Sequence, residues 1–139
     1  MTGMSGAYPL VHTAAMAWVF VYGTLRVGGS AEAFLRDGVV ERHSAVLADH
    51  ALYGRRLPYP YAVPEPDSTV VGEAVRLDPR LAGPALADLD AYEGDEYRRV
   101  CRPVRLGDRE VVAHLWIADV PTPPETERIR SGDWFHRDL

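Results

Sequence analysis

The sequence predicts a small mixed α+β domain, and three observations carry that prediction. Short apolar, β-rich runs recur along most of the chain, while one stretch only, Pro79–Tyr92, has both helical periodicity and helical punctuation at its two ends. A length of 139 residues provides one real core and is too short for two comfortable domains. There is no internal repeat and no low-complexity block.

Residues 1–15 are low in pattern, with Gly3, Gly6 and Pro9 scattered through them, and read as a disordered N-terminal extension. Met16 directly precedes the first strand pattern, so Met1, Met4 and Met16 are all readable as starts. Trp18-Val19-Phe20-Val21 is too short for a helix and reads as a buried strand. Tyr22-Gly23-Thr24-Leu25-Arg26 then breaks the run, because glycine lets the backbone turn and approach something closely. Two readings of this turn stand side by side. Its unpaired N–H groups converge on an anion-binding concavity, or the strand simply ends in a glycine turn. Arg26 reads as solvent-facing, with long-range charge as its other role.

Val27-Gly28-Gly29-Ser30 reads as a loop, with Ser30 capping a short helix from Ala31 to Arg36 and Gly38 stopping it. Val39–Leu47 and Ala51–Tyr53 read as two separate strands. Leu57–Pro66, carrying Pro58, Pro60, Pro64 and Pro66, reads as an irregular loop and not a central strand. Thr69–Leu77 returns to a strand pattern, with Gly72 as a bulge or a point of close approach. Pro79–Tyr92 follows as the helix. Asp78 is its N-cap, Pro79 suits its first turn, Pro84 distorts its start and Gly94 ends it. Tyr97–Leu106 and Glu110–Ala118 form a hairpin through Gly107-Asp108-Arg109. Pro121-Thr122-Pro123-Pro124 ends the body, so the chain divides into the extension, a domain over residues 16–120 and a C-terminal tail over 121–139.

Composition narrows the function classes. Hydrophobic residues are 47% and charged ones 25%, as in ordinary globular proteins. A net charge of -5 gives no basic field, so neither nucleic acid nor a membrane surface is an expected partner. Arg98, Arg99, Arg102 and Arg105 lie among acids and read as a solvated strand face. Cys101, the only cysteine, forms no internal disulfide and reads as a small core residue. No apolar run reaches membrane-spanning length and the start lacks a signal-peptide pattern, so the expected location is cytoplasmic. His12, His43, His50, His114 and His136 never fall at metal-motif spacing. Asp88–Gly94 has its glycine one place too late for a calcium loop, and nucleotide signatures are absent. Ser44 neighbours His43 in sequence only. No metal and no cofactor are expected.

One carboxylate is out of place. At 3.6 residues per turn, Ala82, Ala85, Leu86 and Leu89 share a stripe, and Glu93 falls in it. Glu93 is also in the last helical turn, where the helix dipole disfavours negative charge. Burial and the dipole both raise a carboxylate pKa, which suits Glu93 to proton transfer. The other reading is that the helix frays before Glu93 and its side chain swings into water.

Tyr22-Gly23-Thr24-Leu25-Arg26, paired with Leu89-Asp90-Ala91-Tyr92-Glu93-Gly94-Asp95-Glu96-Tyr97-Arg98-Arg99, resembles the γ-glutamylcyclotransferase-like superfamily, including its AIG2-like, γ-glutamylamine cyclotransferase-like branch. The similarity runs from about Trp18 to Ala118, and the terminal Ile-Arg-Ser-Gly-Asp-Trp is similar to the tails of bacterial members. The resemblance implies a small β-barrel flanked by a few short helices. It implies that Tyr22, Gly23, Thr24 and Leu25 bind the α-amino-acid end of a γ-glutamyl substrate, that Glu93 is the catalytic acid/base and that Tyr97 lines the pocket. The implied reaction is a cofactor-independent intramolecular aminoacyl transfer that converts a γ-glutamyl amine or amino compound to 5-oxoproline and a free amine. The stretch from Ser30 to Glu32 lacks the Asn or His that many relatives carry, which bears on one pocket wall. Three other readings stand beside this one: a non-catalytic small-molecule binding module, γ-glutamyl deprotection of a biosynthetic intermediate, and an interaction domain using Tyr97 and Trp134 in a homo-oligomer contact. A monomer and a homodimer both fit.

Overall fold

β1 (Trp18–Val21) is buried at every position because it has a core on each face. The computed structural model describes residues 18–26, 29 and 38–137. The expected N-terminal extension and the short helix after Ser30 lie outside the described residues. β2 (Val39–Tyr53), β3 (Tyr61–Leu77), β4 (Tyr97–Leu106) and β5 (Arg109–Ala118) complete a closed barrel in the order β1-β3-β2-β4-β5. β1 pairs antiparallel with β3 (Val19 opposite Val75) and meets β5 in parallel at Val19–His114, which closes the barrel. The barrel is the architecture that the family resemblance implies.

Alternation sorts β1 between two cores. Trp18, Phe20 and Tyr22 join the barrel cluster with Leu47, Leu52, Val70 and Leu115, while Val19 and Val21 join a second cluster with Val75, Leu77 and Trp116. The second cluster is covered by α1 (Pro79–Glu93), which contributes Ala82, Leu86 and Leu89. The helix starts and stops where the sequence places its punctuation. Asp78 accepts from the Arg80 N–H at 3.0 Å and Gly94 ends it at φ 76°. Burying Leu86 and Leu89 contributes about 1.5–3 kcal/mol each.

Two strand expectations need correction. Val39–Leu47 and Ala51–Tyr53 form one strand, because a register shift at Asp49, whose φ is 59°, resets the inward phase without ending the pairing. Tyr61–Pro66, expected as irregular loop, is the first part of β3, with Tyr61 opposite Tyr53 and Pro64 opposite His50. Prolines are tolerated there because β1 pairs with β3 only from Glu73 to Arg76, leaving the Tyr61–Pro66 half with β2 as its one strand neighbour among the described residues. At Gly72 close approach is the relevant reading. A Cβ there would lie 2.3 Å from the Val21 carbonyl and 2.7 Å from the Phe20 ring.

The segment after Pro124 packs onto the barrel. Ile129 N–H donates to the Leu52 carbonyl at 2.8 Å, Val71 N–H donates to Gly132 at 2.7 Å, and Ile129 and Trp134 enter the barrel cluster. Trp134 is therefore a core residue, unavailable for the oligomer contact considered from sequence. Cys101 is half-buried rather than fully inside, with its sulfur 3.4 Å from His114 Nδ1.

Candidate active site

β1 delivers the chain directly into the turn that follows it. Arg26 N–H closes that turn on the Gly23 carbonyl at 3.1 Å. The N–H groups of Gly23, Thr24 and Leu25 take no backbone partner among the described residues. Gly23 is required by a close approach: a Cβ there would be 2.7 Å from Pro60 Cγ. Tyr22 is fixed by its hydroxyl, which donates to the Trp116 carbonyl. Thr24 Oγ1 shares a 3.0 Å hydrogen bond with the Tyr92 hydroxyl, tying the turn to the last turn of α1.

Tyr22, Gly23, Thr24, Leu25, Glu93 and Tyr97, the residues singled out from sequence, all line one cavity of about 280 Å³. α1 does not fray before Glu93, since the helix runs through that residue. Glu93 is half-buried, and no hydrogen bond or ion pair reaches its carboxylate among the described residues. Burial pushes its pKa up to about 7. The Tyr22 and Tyr97 hydroxyls are raised well above the ordinary phenol range, by burial first and with the Glu93 charge adding to it. Both therefore stay protonated. Tyr97 donates to the Pro60 carbonyl at 2.7 Å, and its ring stacks on Tyr61 with centroids 5.3 Å apart.

Trp116, Tyr59, Pro60, Tyr92 and Glu96 also line the cavity and were not singled out from sequence. Trp116 Nε1 donates to Asp90 at 2.8 Å, one turn before Glu93, so the same indole braces the helix end and forms a wall. No lysine, arginine or histidine is among the described lining residues. Among the described residues no cluster of His, Cys, Asp and Glu is arranged to hold a metal ion, and no helix is long and apolar enough to cross a membrane.

Residues 19–136 match the sequence family described as γ-glutamyl cyclotransferase, AIG2-like. The chain belongs to this family. Among solved structures, YkqA from Bacillus subtilis is 22% identical with a TM-score of 0.67, covering 85% of this chain and 39% of its own. The chain thus spans about two fifths of the length of that protein. PH0828 from Pyrococcus horikoshii is 24% identical with a TM-score of 0.60, over 85% of this chain and 89% of its own. An AIG2-like protein from Mus musculus is 22% identical with a TM-score of 0.65, over 77% and 80%. These likenesses establish a shared fold. No curated protein matches the sequence. In this member of the AIG2-like family, Arg26 departs from the solvent-facing role expected of it. Its side chain is 11% exposed and paired with Asp133.

Proposed function

We propose that the protein is a γ-glutamyl cyclotransferase that releases 5-oxoproline and a free amine from a small γ-glutamyl compound, with Glu93 as general acid/base. One observation carries the reading: a desolvated carboxyl lines the same cavity as a turn with three N–H groups, and among the described residues neither the carboxyl nor those N–H groups has a hydrogen-bond partner. Family membership supports the same chemistry.

The reaction starts from the α-ammonium of the substrate, whose ordinary pKa is ~8. Glu93 takes a proton from it, and the freed amine attacks the γ-carbonyl carbon. The new C–N bond closes a five-membered ring. The α-nitrogen gives up a second proton as the tetrahedral intermediate collapses and the original γ-amide C–N bond breaks. Both protons finish on the leaving nitrogen, returned through Glu93. An ordinary glutamate is a poor base for this, because proton transfer from the ammonium is roughly 5 kcal/mol uphill. With Glu93 near 7 the gap narrows to about 1.4 kcal/mol. Its raised pKa equally suits the return of the proton to the leaving amine.

The substrate carries its own nucleophile, so the remaining task is to curl it. Fixing an intramolecular attack geometry contributes on the order of 7–11 kcal/mol at best. Gly23, Thr24 and Leu25 N–H groups hold the α-carboxylate, and Tyr97, held from behind by its stack on Tyr61, forms the apolar walls with Trp116. The test is a panel of γ-glutamyl amines and amino acids assayed for 5-oxoproline. Release from at least one member by the parent, slowed by about 10²-fold or more in Glu93→Gln, supports the reading. A parent that binds these compounds without release is a binding module.

A further inference from the structure

The substrate turn has a mechanical difficulty. N–H groups left for a ligand cannot also fix the backbone, and among the described residues the backbone bonds of the turn are Arg26 N–H to the Gly23 carbonyl and Gly29 N–H to the Arg26 carbonyl, at 3.1 and 2.7 Å. Both bonds meet at Arg26, whose side chain ties them to the rest of the protein. Arg26 is not among the cavity-lining residues. Its Nη1 donates to Asp133 Oδ1 at 2.7 Å, its Nε lies 3.7 Å from Glu73 Oε2, and its guanidinium covers the Phe135 ring at 4.3 Å.

Asp133 is itself tightly held. Its carboxylate accepts from His136 Nδ1 at 2.9 Å and from the Phe135 N–H at 3.0 Å, and its side chain is 14% exposed. The residues on either side are anchored to the barrel. Gly132 accepts from Val71 N–H with φ 70°, and a Cβ there would lie 2.1 Å from the Thr69 carbonyl. Trp134 is inside the barrel core. A charge-assisted bond from a rigid frame fixes its partner far better than one from a mobile side chain.

The geometry points to Asp133 as a positioning residue for the substrate turn: the tail segment Gly132-Asp133-Trp134 clamps Arg26 and so sets where the Gly23, Thr24 and Leu25 N–H groups lie. Asp133 acts through Arg26 and touches no substrate. The kinetic consequence rests on the proposed cyclotransferase reading; the structural consequence does not.

Asp133→Asn in the full chain tests it, because the amide oxygen still accepts the Phe135 N–H while the charge on Arg26's partner is lost. Amide hydrogen exchange at residue 26, whose N–H closes the turn on the Gly23 carbonyl, should accelerate about tenfold, as local opening becomes easier. KM for a γ-glutamyl substrate should rise about fivefold, with kcat within about twofold, the pattern of lost binding alone. Glu41→Gln, which weakens the pair with Arg76 beside Trp18, at the end of β1 away from the turn, is the control. It should lower Tm without changing exchange at the turn. Arg26→Lys, which keeps the charge and loses the fork, should move exchange in the same direction and decides the matter if Asp133→Asn does not fold. Unchanged exchange at the residue 26 amide, or equal acceleration in Glu41→Gln, overturns the clamp. A parent that releases no 5-oxoproline overturns the functional reading instead, and exchange alone then judges the clamp.

Discussion

Two acidic side chains bear on the Tyr22–Arg26 turn from different parts of the chain. Glu93, at the end of α1, lines the cavity with the turn and receives no donor among the described residues. Asp133, in the tail, receives Arg26, His136 and the Phe135 N–H. Both are withdrawn from water, and burial pulls both carboxyls upward. In Asp133 the hydrogen bonds from His136 and Arg26 outweigh burial and hold it below the usual carboxylate range. In Glu93 nothing opposes burial, and it rises to about 7. Glu127 repeats the Asp133 pattern: the Arg56 backbone N–H, at 2.8 Å, and the Arg56 guanidinium, at 3.0 Å, keep it low. Burial alone does not raise a carboxylate to neutrality. Among the described residues, Glu93 differs from the other two in having no donor.

The largest expected effect tests the chemical half of this contrast. Glu93→Gln should lower kcat by about 10²–10⁴, while isothermal titration with a γ-glutamyl substrate still detects binding. A variant with undiminished kcat removes Glu93 from the chemistry. The pH profile comes next. With Glu93 ionising near 7 and the substrate ammonium near ~8, kcat/KM should be bell-shaped, falling tenfold per pH unit on the acid side of about 7. A profile whose acid limb sits at an ordinary carboxylate value would contradict the isolation of Glu93.

Stability should respond to pH with opposite signs in the two regions. For Glu93 the folded pKa lies above the unfolded one, so the native state holds the proton more tightly. Stability from this group is present below about pH 4.5 and lost as pH rises through about 7. Glu93→Gln should therefore be about 1–3 kcal/mol more stable than the parent at pH 8 in urea denaturation, and equal to it at pH 4. Asp133 and Glu127 work the other way. Their folded pKa values are depressed, so their contribution is present above the unfolded carboxylate range and lost as pH falls through it. The smallest effect on turnover is expected at Glu127. Glu127→Gln should lower Tm, read by calorimetry, and leave kcat/KM within about twofold, since its partner Arg56 is no part of the cavity. A loss of turnover there would mean that the tail feeds the site by more than one route.

Much of the site was legible in the chain because its signals are local. Asp78, Pro79 and Gly94 punctuate α1 within a few residues of its ends, and the 3.6-residue period puts Glu93 on the Leu86–Leu89 stripe without any knowledge of the barrel. The apolar run of β1 breaking at Gly23 is likewise a short-range pattern. The strands were less legible. The bulge at Asp49 reverses the inward phase of β2, so one strand looks like two. Pro64 and Pro66 look like loop until the position of β1 reveals which half of β3 has a single strand neighbour.

By itself the sequence determined the helix, the carboxylate on its apolar stripe and the turn that ends the first strand, because each depends on residues within a turn or two of one another. Only the tertiary structure decided that these meet across one cavity, with Trp116 and Pro60 as walls, and that Arg26 is clamped 107 residues away by Asp133. Periodicity reports which face of an element is apolar. It carries no information about which donors closure of the barrel brings to a given carboxylate, and those donors decide whether its pKa falls, as at Asp133, or rises, as at Glu93.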